Sequence, residues 1–172
     1  MKVRRVVTGH DRSGKAVIAS DSQVEGLTPG LLPGSEFHRL WGANRAPSFP
    51  DDGSAPEQNP YFPPVGGFRF GMFTIPPDSH SRPAVADLPA AVKELEAALP
   101  GLASHMEADA PGMHTTATID FEVVLEGSLT DERGDVARLE VAGRQRGDRR
   151  GAELLRVRGE HACVFEAVAA HV

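Results

Sequence analysis

Met113-His114-Thr115-Thr116-Ala117-Thr118-Ile119-Asp120-Phe121-Glu122-Val123-Val124-Leu125-Glu126-Gly127 is the stretch on which the reading of this chain turns. Ile119, Phe121, Val123 and Leu125 recur at every second position, which is the period of a β-strand, and Val124 is the only break in the pattern. The other face carries Thr118, Asp120, Glu122 and Glu126, and stepping back by twos adds Thr116 and His114 to it. A histidine and carboxylates on one strand face are the raw material of a metal site or of acid–base chemistry, because a near-neutral imidazole serves both. Two orientations are open. Either the carboxylate face lines an interior and something else covers the apolar face, or the apolar face fills the core and both carboxylates meet solvent, since burying them uncompensated costs several kcal/mol each.

The segments around this strand are also mostly β. Residues 2–8 and 15–20 read as a hairpin around the turn Gly9-His10-Asp11-Arg12-Ser13-Gly14. Residues 36–42 and 67–75 form further strands, the latter alternating Phe68, Phe70 and Met72 against Arg69, Gly71 and Phe73. Residues 136–141 and 161–168 alternate as well. Between the strands, residues 43–66 hold six prolines and no periodicity, a loop long enough to suggest a lid, with Phe49, Tyr61 and Phe62 as anchors. One helix is expected at 89–99, with Leu88, Val92, Leu95 and Leu99 at helical spacing, Pro89 in the first turn and Pro100-Gly101 as the stop. Short strands with one short helix predict an all-β barrel or sandwich.

The 172 residues, 40% of them hydrophobic, fit one domain spanning 1–172: a strand arm over 1–42, the Pro-rich loop over 43–66 and a barrel over 67–172. A net charge of −6 argues against a nucleic-acid partner, and the sequence contains neither a membrane-length apolar run nor a signal-like opening, so a cytoplasmic protein is expected. The single cysteine, Cys163, reads as a small buried hydrophobe. The remaining histidines, His10, His38, His80, His105, His161 and His171, share no ligand spacing and read as surface or partly buried residues. Nucleotide and serine-hydrolase motifs are missing from the sequence.

Against this background the chain resembles the cupin superfamily of small jelly-roll barrels, specifically its small bacterial cupin-2 type. The likeness spans the opening hairpin, the Pro-rich loop and the strands from 67 onward. In the family's first motif, Gly112, His114, Thr116, Asp120 and Gly127 stand in the roles of glycine, His-x-His, acidic residue and closing glycine, with Thr116 in place of the second histidine. The second motif, which supplies the last histidine, should follow Gly143. An arginine-rich run stands there instead, with Glu153 about where the histidine belongs. Residues 144–158 hold six arginines against Asp148 and Glu153 and carry +4, leaving −10 elsewhere. Such a run fits a remodelled barrel rim or a reading-frame slip between compensating indels, and it cannot be an interior strand.

The resemblance implies a cupin jelly-roll β-barrel with an N-terminal hairpin arm, a long Pro-rich loop and one inserted helix, assembled as a homodimer. It further implies a small-molecule ligand. If the protein is an enzyme, His114 is a ligand or base, Asp120 the acidic ligand of a divalent transition metal (Fe, Mn, Zn or Ni), and Glu122 a supporting catalytic carboxylate. Thr116, Phe70 and Met72 would then contact the substrate, a small organic acid or secondary metabolite. A non-catalytic cupin that has lost its metal and serves as a binding or structural module is the other reading.

Overall fold

The computed structural model describes residues 1–77, 80, 85–109 and 113–126 in full, together with the backbone of strands within 129–170. The chain is strand-dominated. Val3–His10 (β1) and Ala16–Val24 (β2) form the opening hairpin, each strand starting one residue later and running further than the alternation suggests. A five-stranded antiparallel sheet follows in the order β3-β4-β10-β5-β8, built from Glu36–Ala43, Phe68–Ile75, Ala162–Ala170, Thr118–Glu126 and Gln145–Arg146. Leu129–Asp131 (β6), Leu139–Glu140 (β7) and Leu155–Val157 (β9) make a three-stranded sheet. Among the described residues, no helix is long and apolar enough to cross a membrane.

Among the described residues the arginine-rich run supplies Gln145–Arg146 and β9 to these sheets, and the former is an edge strand, the position where a polar sequence is tolerated. The rest of that run, including Glu153, lies outside the described residues, as does the side chain of Cys163.

Helix α1 (Leu88–Ala98) begins at Asp87, whose carboxylate accepts the Ala90 N–H at 2.9 Å, with Pro89 in the first turn as the sequence predicts. The helix stops at Pro100-Gly101, where Gly101 takes φ +86°, a conformation open to glycine without strain. Glu96 then accepts the N–H groups of Gly101 at 2.8 Å and Ala103 at 2.8 Å, binding the following 3-10 turn (Ala103–His105) to the helix. Of the four apolar positions read from the sequence, Leu95 and Leu99 reach the core, while Leu88 at the first turn is exposed. Their partners are Phe62 and Leu102, ringed by Leu27, Leu31, Leu32, Phe37 and Tyr61.

The Pro-rich loop is fastened at three places. Its Asp51 carbonyl accepts the His10 N–H at 2.7 Å, and Gly9 lies so close to Asp52 that any side chain there would overlap the backbone. Tyr61 donates its N–H to the Pro100 carbonyl at 2.7 Å. Arg69 of β4, only 7% exposed, donates from one terminal nitrogen to the carbonyls of Ala43 and Phe68 at 2.8 Å each. Its other terminal nitrogen donates to Asn44 Oδ1 at 2.6 Å and to the Pro60 carbonyl at 2.7 Å. These bonds hold Phe62 over the sheet, against α1.

Candidate functional site

Ladder register decides which face of the sheet meets this lid. Cross-strand partners point the same way, so Arg69, Val168 and Asp120 form one row, and Gly71, Glu166 and Glu122 the next. Arg39 faces Gly71, and Gly42 faces Arg69. A Cβ on Gly42 would come within 2.7 Å of Arg69 Cδ, so the glycine leaves room for the arginine to lie across β3. The face that carries Arg39, Arg69, Asp120 and Glu122 is therefore the covered one. On β5, Asp120, Glu122 and Val124 are half-buried, whereas Phe121 is 47% exposed and Leu125 54% exposed.

Of the two orientations open from the sequence, the structure takes the first, carboxylates inward and the apolar row outward. The hairpin and the Pro-rich loop leave Phe121, Val123 and Leu125 exposed.

His114, Thr116 and Thr118 continue the inward row. Each is half-buried, while Thr115 and Ala117 between them are exposed. His114 sits ahead of the strand on an isolated bridge to Met106, steadied by Thr115 N–H to the His105 carbonyl at 3.0 Å and Glu107 N–H to the Met113 carbonyl at 2.8 Å. Its ring stacks on Phe62 with centroids 5.4 Å apart at 22°. Thr116 and Thr118 share a hydroxyl–hydroxyl bond at 2.7 Å, and Thr118 in turn bonds the Asp120 carboxylate. Asp120 Oδ1 is buried without a hydrogen-bond partner.

Burial shapes the electrostatics. Loss of water pushes the Asp120 carboxyl above the ordinary carboxylate range, opposed by the Thr118 hydroxyl and by the nearby His114. Loss of water likewise pulls the His114 imidazole below its ordinary value; Asp120 opposes that shift and His105 adds to it. Burial thus disfavours the charged form of both neighbouring groups.

Four of the residues read from the sequence, His114, Thr116, Asp120 and Glu122, thus share one face. Phe70 and Met72 do not. Their ladder partners are Phe121 and Val123 by way of β10, on the face opposite Asp120, although both also border the small cavity beside Arg39 and Arg69. The reason is parity: Arg69 must face inward to hold the loop, and its neighbours must then face out.

Several site residues were not singled out from the sequence. His105 packs its ring on Phe62 at 4.8 Å and lends its Nδ1–H to the Gly101 carbonyl at 2.7 Å. Arg39 and Arg69 look like solvent-facing positions of amphipathic strands. The glycines opposite them, Gly71 and Gly42, are the signal that could have marked them as inward.

No protein-family model matches the chain, and no curated protein matches it. Solved structures do. The chain is similar to a Salmonella typhimurium LT2 protein named for ethanolamine utilization (protein Q), at 8% identity and a TM-score of 0.44, over 100% of this chain and 99% of that one. A structure of DMSP lyases is similar at 10% identity and a TM-score of 0.45, over 86% of this chain and 57% of that one. The Schizosaccharomyces pombe Cnp3 cupin domain is similar at 10% identity and a TM-score of 0.48, over 99% of this chain and 89% of that one. A cupin domain thus stands among the solved structures to which this chain is similar.

Proposed function

We propose that the chain is a cupin-type protein that binds a small organic molecule in a jelly-roll hollow, lidded by the Pro-rich loop and α1, and exchanges a proton with it through His114 and Asp120. One observation carries this reading. The row from His114 to Asp120 is turned inward at the expense of leaving Phe121 and Leu125 in water, and its last member keeps a buried oxygen with no partner inside the described protein. A buried unpaired acceptor is costly, and a ligand donor that meets it recovers that cost. Glu122, next in the row, is the supporting carboxylate in this reading, and the Thr116–Thr118 hydroxyl pair orients Asp120.

The metal implied by the family motif was weighed against the donors present. His114 and Asp120 supply two, Thr116 occupies the place of a further histidine, and a neutral hydroxyl is a weak ligand for a divalent transition metal. Among the described residues, no group of three histidine, cysteine, aspartate or glutamate side chains converges. This donor set does not fit such a metal, which takes at least three protein ligands in catalytic sites. The chemistry proposed runs through the protein's own acid and base.

Elemental analysis of protein purified without chelator is expected to find well under one equivalent of Fe, Mn, Zn or Ni. In parallel, small organic molecules that bind in a ligand-observed NMR screen are expected to bind Asp120→Ala roughly tenfold or more weakly, the worth of one hydrogen bond to a buried polar group. A stoichiometric metal lost in His114→Ala, or hits indifferent to Asp120→Ala, would overturn the reading.

A further inference from the structure

Beneath the Pro-rich loop, next to the row just described, lies a small, partly open cavity of about 20 Å³. Arg39, Gln58, Tyr61, Phe62, Arg69 and Gly71 are among the residues that line it. That volume admits one water-sized group. Three lining side chains present buried atoms with no hydrogen-bond partner: Arg39 through a terminal guanidinium nitrogen, Arg69 through Nε and Gln58 through its amide oxygen.

The two arginines are near enough that the charge of Arg39 disfavours that of Arg69, and desolvation weakens both. Arg69 spends its terminal nitrogens on neutral acceptors, three carbonyls and the Asn44 amide, so among the described residues its charge has no counter-ion in contact. Arg39 lies over the Tyr61 ring at 6.0 Å. Neither arginine forms an ion pair with a described carboxylate, and exposed Glu57 acts on Arg69 only through space.

Two desolvated guanidinium groups around one cavity are unfavourable without an anion. A water molecule would satisfy the N–H groups but neutralise nothing. A half-turn of the Gln58 amide would add its NH2 to the same donor set.

We propose that Arg39 and Arg69 form a clamp for the carboxylate of a small organic acid. The clamp deepens the function proposed above and rests on it only for where the rest of the acid goes: Arg69 and Asp120 share a ladder row two strands apart, roughly 10 Å, so an acid held at the arginines extends along the sheet toward the proton-exchanging pair. A space that admits one water-sized group takes a single carboxylate oxygen more readily than the tetrahedral bulk of a phosphate.

The probes are propionate, its neutral isostere propionamide and inorganic phosphate, titrated by calorimetry and thermal shift at fixed pH and ionic strength. Propionate is expected to bind saturably and to raise Tm, with propionamide and phosphate giving no saturable response. Arg39→Gln, which leaves the loop-fastening bonds of Arg69 intact, is expected to bind propionate roughly tenfold or more weakly while keeping the wild-type circular-dichroism spectrum. The clamp is refuted by no saturable response, by an equal response to propionamide, by a preference for phosphate, or by unchanged affinity in Arg39→Gln. A stoichiometric metal at His114 would overturn the acid–base reading and leave the propionate result standing, so the two failures are told apart.

Discussion

Arg69→Met is expected to destabilise the protein by about 3–5 kcal/mol, a drop in Tm of roughly 10 °C or more for a chain of this size. Arginine and methionine are similar in length, so the apolar stem survives and the change isolates the guanidinium. Removing it strands four acceptors at once, the carbonyls of Ala43, Phe68 and Pro60 and the side-chain oxygen of Asn44. Relief from burying a charge offsets part of this, but charge-assisted bonds to several acceptors outweigh it because the acceptors stay under the loop. Arg69→Lys is expected to recover less than half of the loss, since one ammonium cannot reach partners on both sides of β3. Chemical denaturation of the three proteins checks this; a loss under about 1 kcal/mol for Arg69→Met would show that the loop is held by other means.

Phe62→Ala is expected to cost a further class of stability, about 3–5 kcal/mol, and to disorganise the site with it. Phe62 is 6% exposed, belongs to the core formed with Leu95, Leu99 and Leu102, and its ring also carries those of His105 and His114. Deleting it leaves a cavity and admits water to His114, so the imidazole should titrate nearer its ordinary value. Phe62→Leu, which keeps most of the apolar volume, should restore much of the stability but not the stacking. Thermal unfolding together with the histidine C2–H titration separates the two contributions. Equal stability of Phe62→Ala and the wild type would remove this residue as the joint between lid and site.

Much of this arrangement was legible in the sequence. Strict alternation marked β4, β5 and β10, the Gly9 to Gly14 turn marked the hairpin, and Pro89 with Pro100-Gly101 bracketed the helix. Of the three aromatic residues read as anchors of the Pro-rich loop, Tyr61 and Phe62 pack on the core, whereas Phe49 is 76% exposed. Which face of β5 looks inward was not legible, since the ordinary rule would send Ile119, Phe121 and Leu125 to the core. The deciding group sits on another strand: Arg69 must face the loop it fastens, and register carries that orientation through β10 to Asp120. That Phe70 and Met72 alternate away from Asp120 was hidden for the same reason, because β4 alone does not reveal which of its two faces is covered.

The inward row also sets the sign of two pH effects. Asp120 has a raised value in the folded protein, so between the ordinary carboxylate value and the raised one the folded protein holds a proton that the unfolded chain does not, and stability falls as pH rises through that window. His114 has a lowered value, so its contribution is present above the ordinary histidine value and is lost as pH falls through it toward the lowered one. Both effects vanish if the pair faces bulk water.

Carbon-detected NMR titration of the Asp120 side-chain carboxyl, with His114 followed in the same samples and assignments made from Asp120→Asn and His114→Gln, measures that burial directly. A carboxyl midpoint above the ordinary aspartate range together with an imidazole midpoint below the ordinary histidine value is the result expected of an inward-facing pair. An aspartate titrating at or below its ordinary value beside an unshifted histidine would place both in solvent and contradict the site.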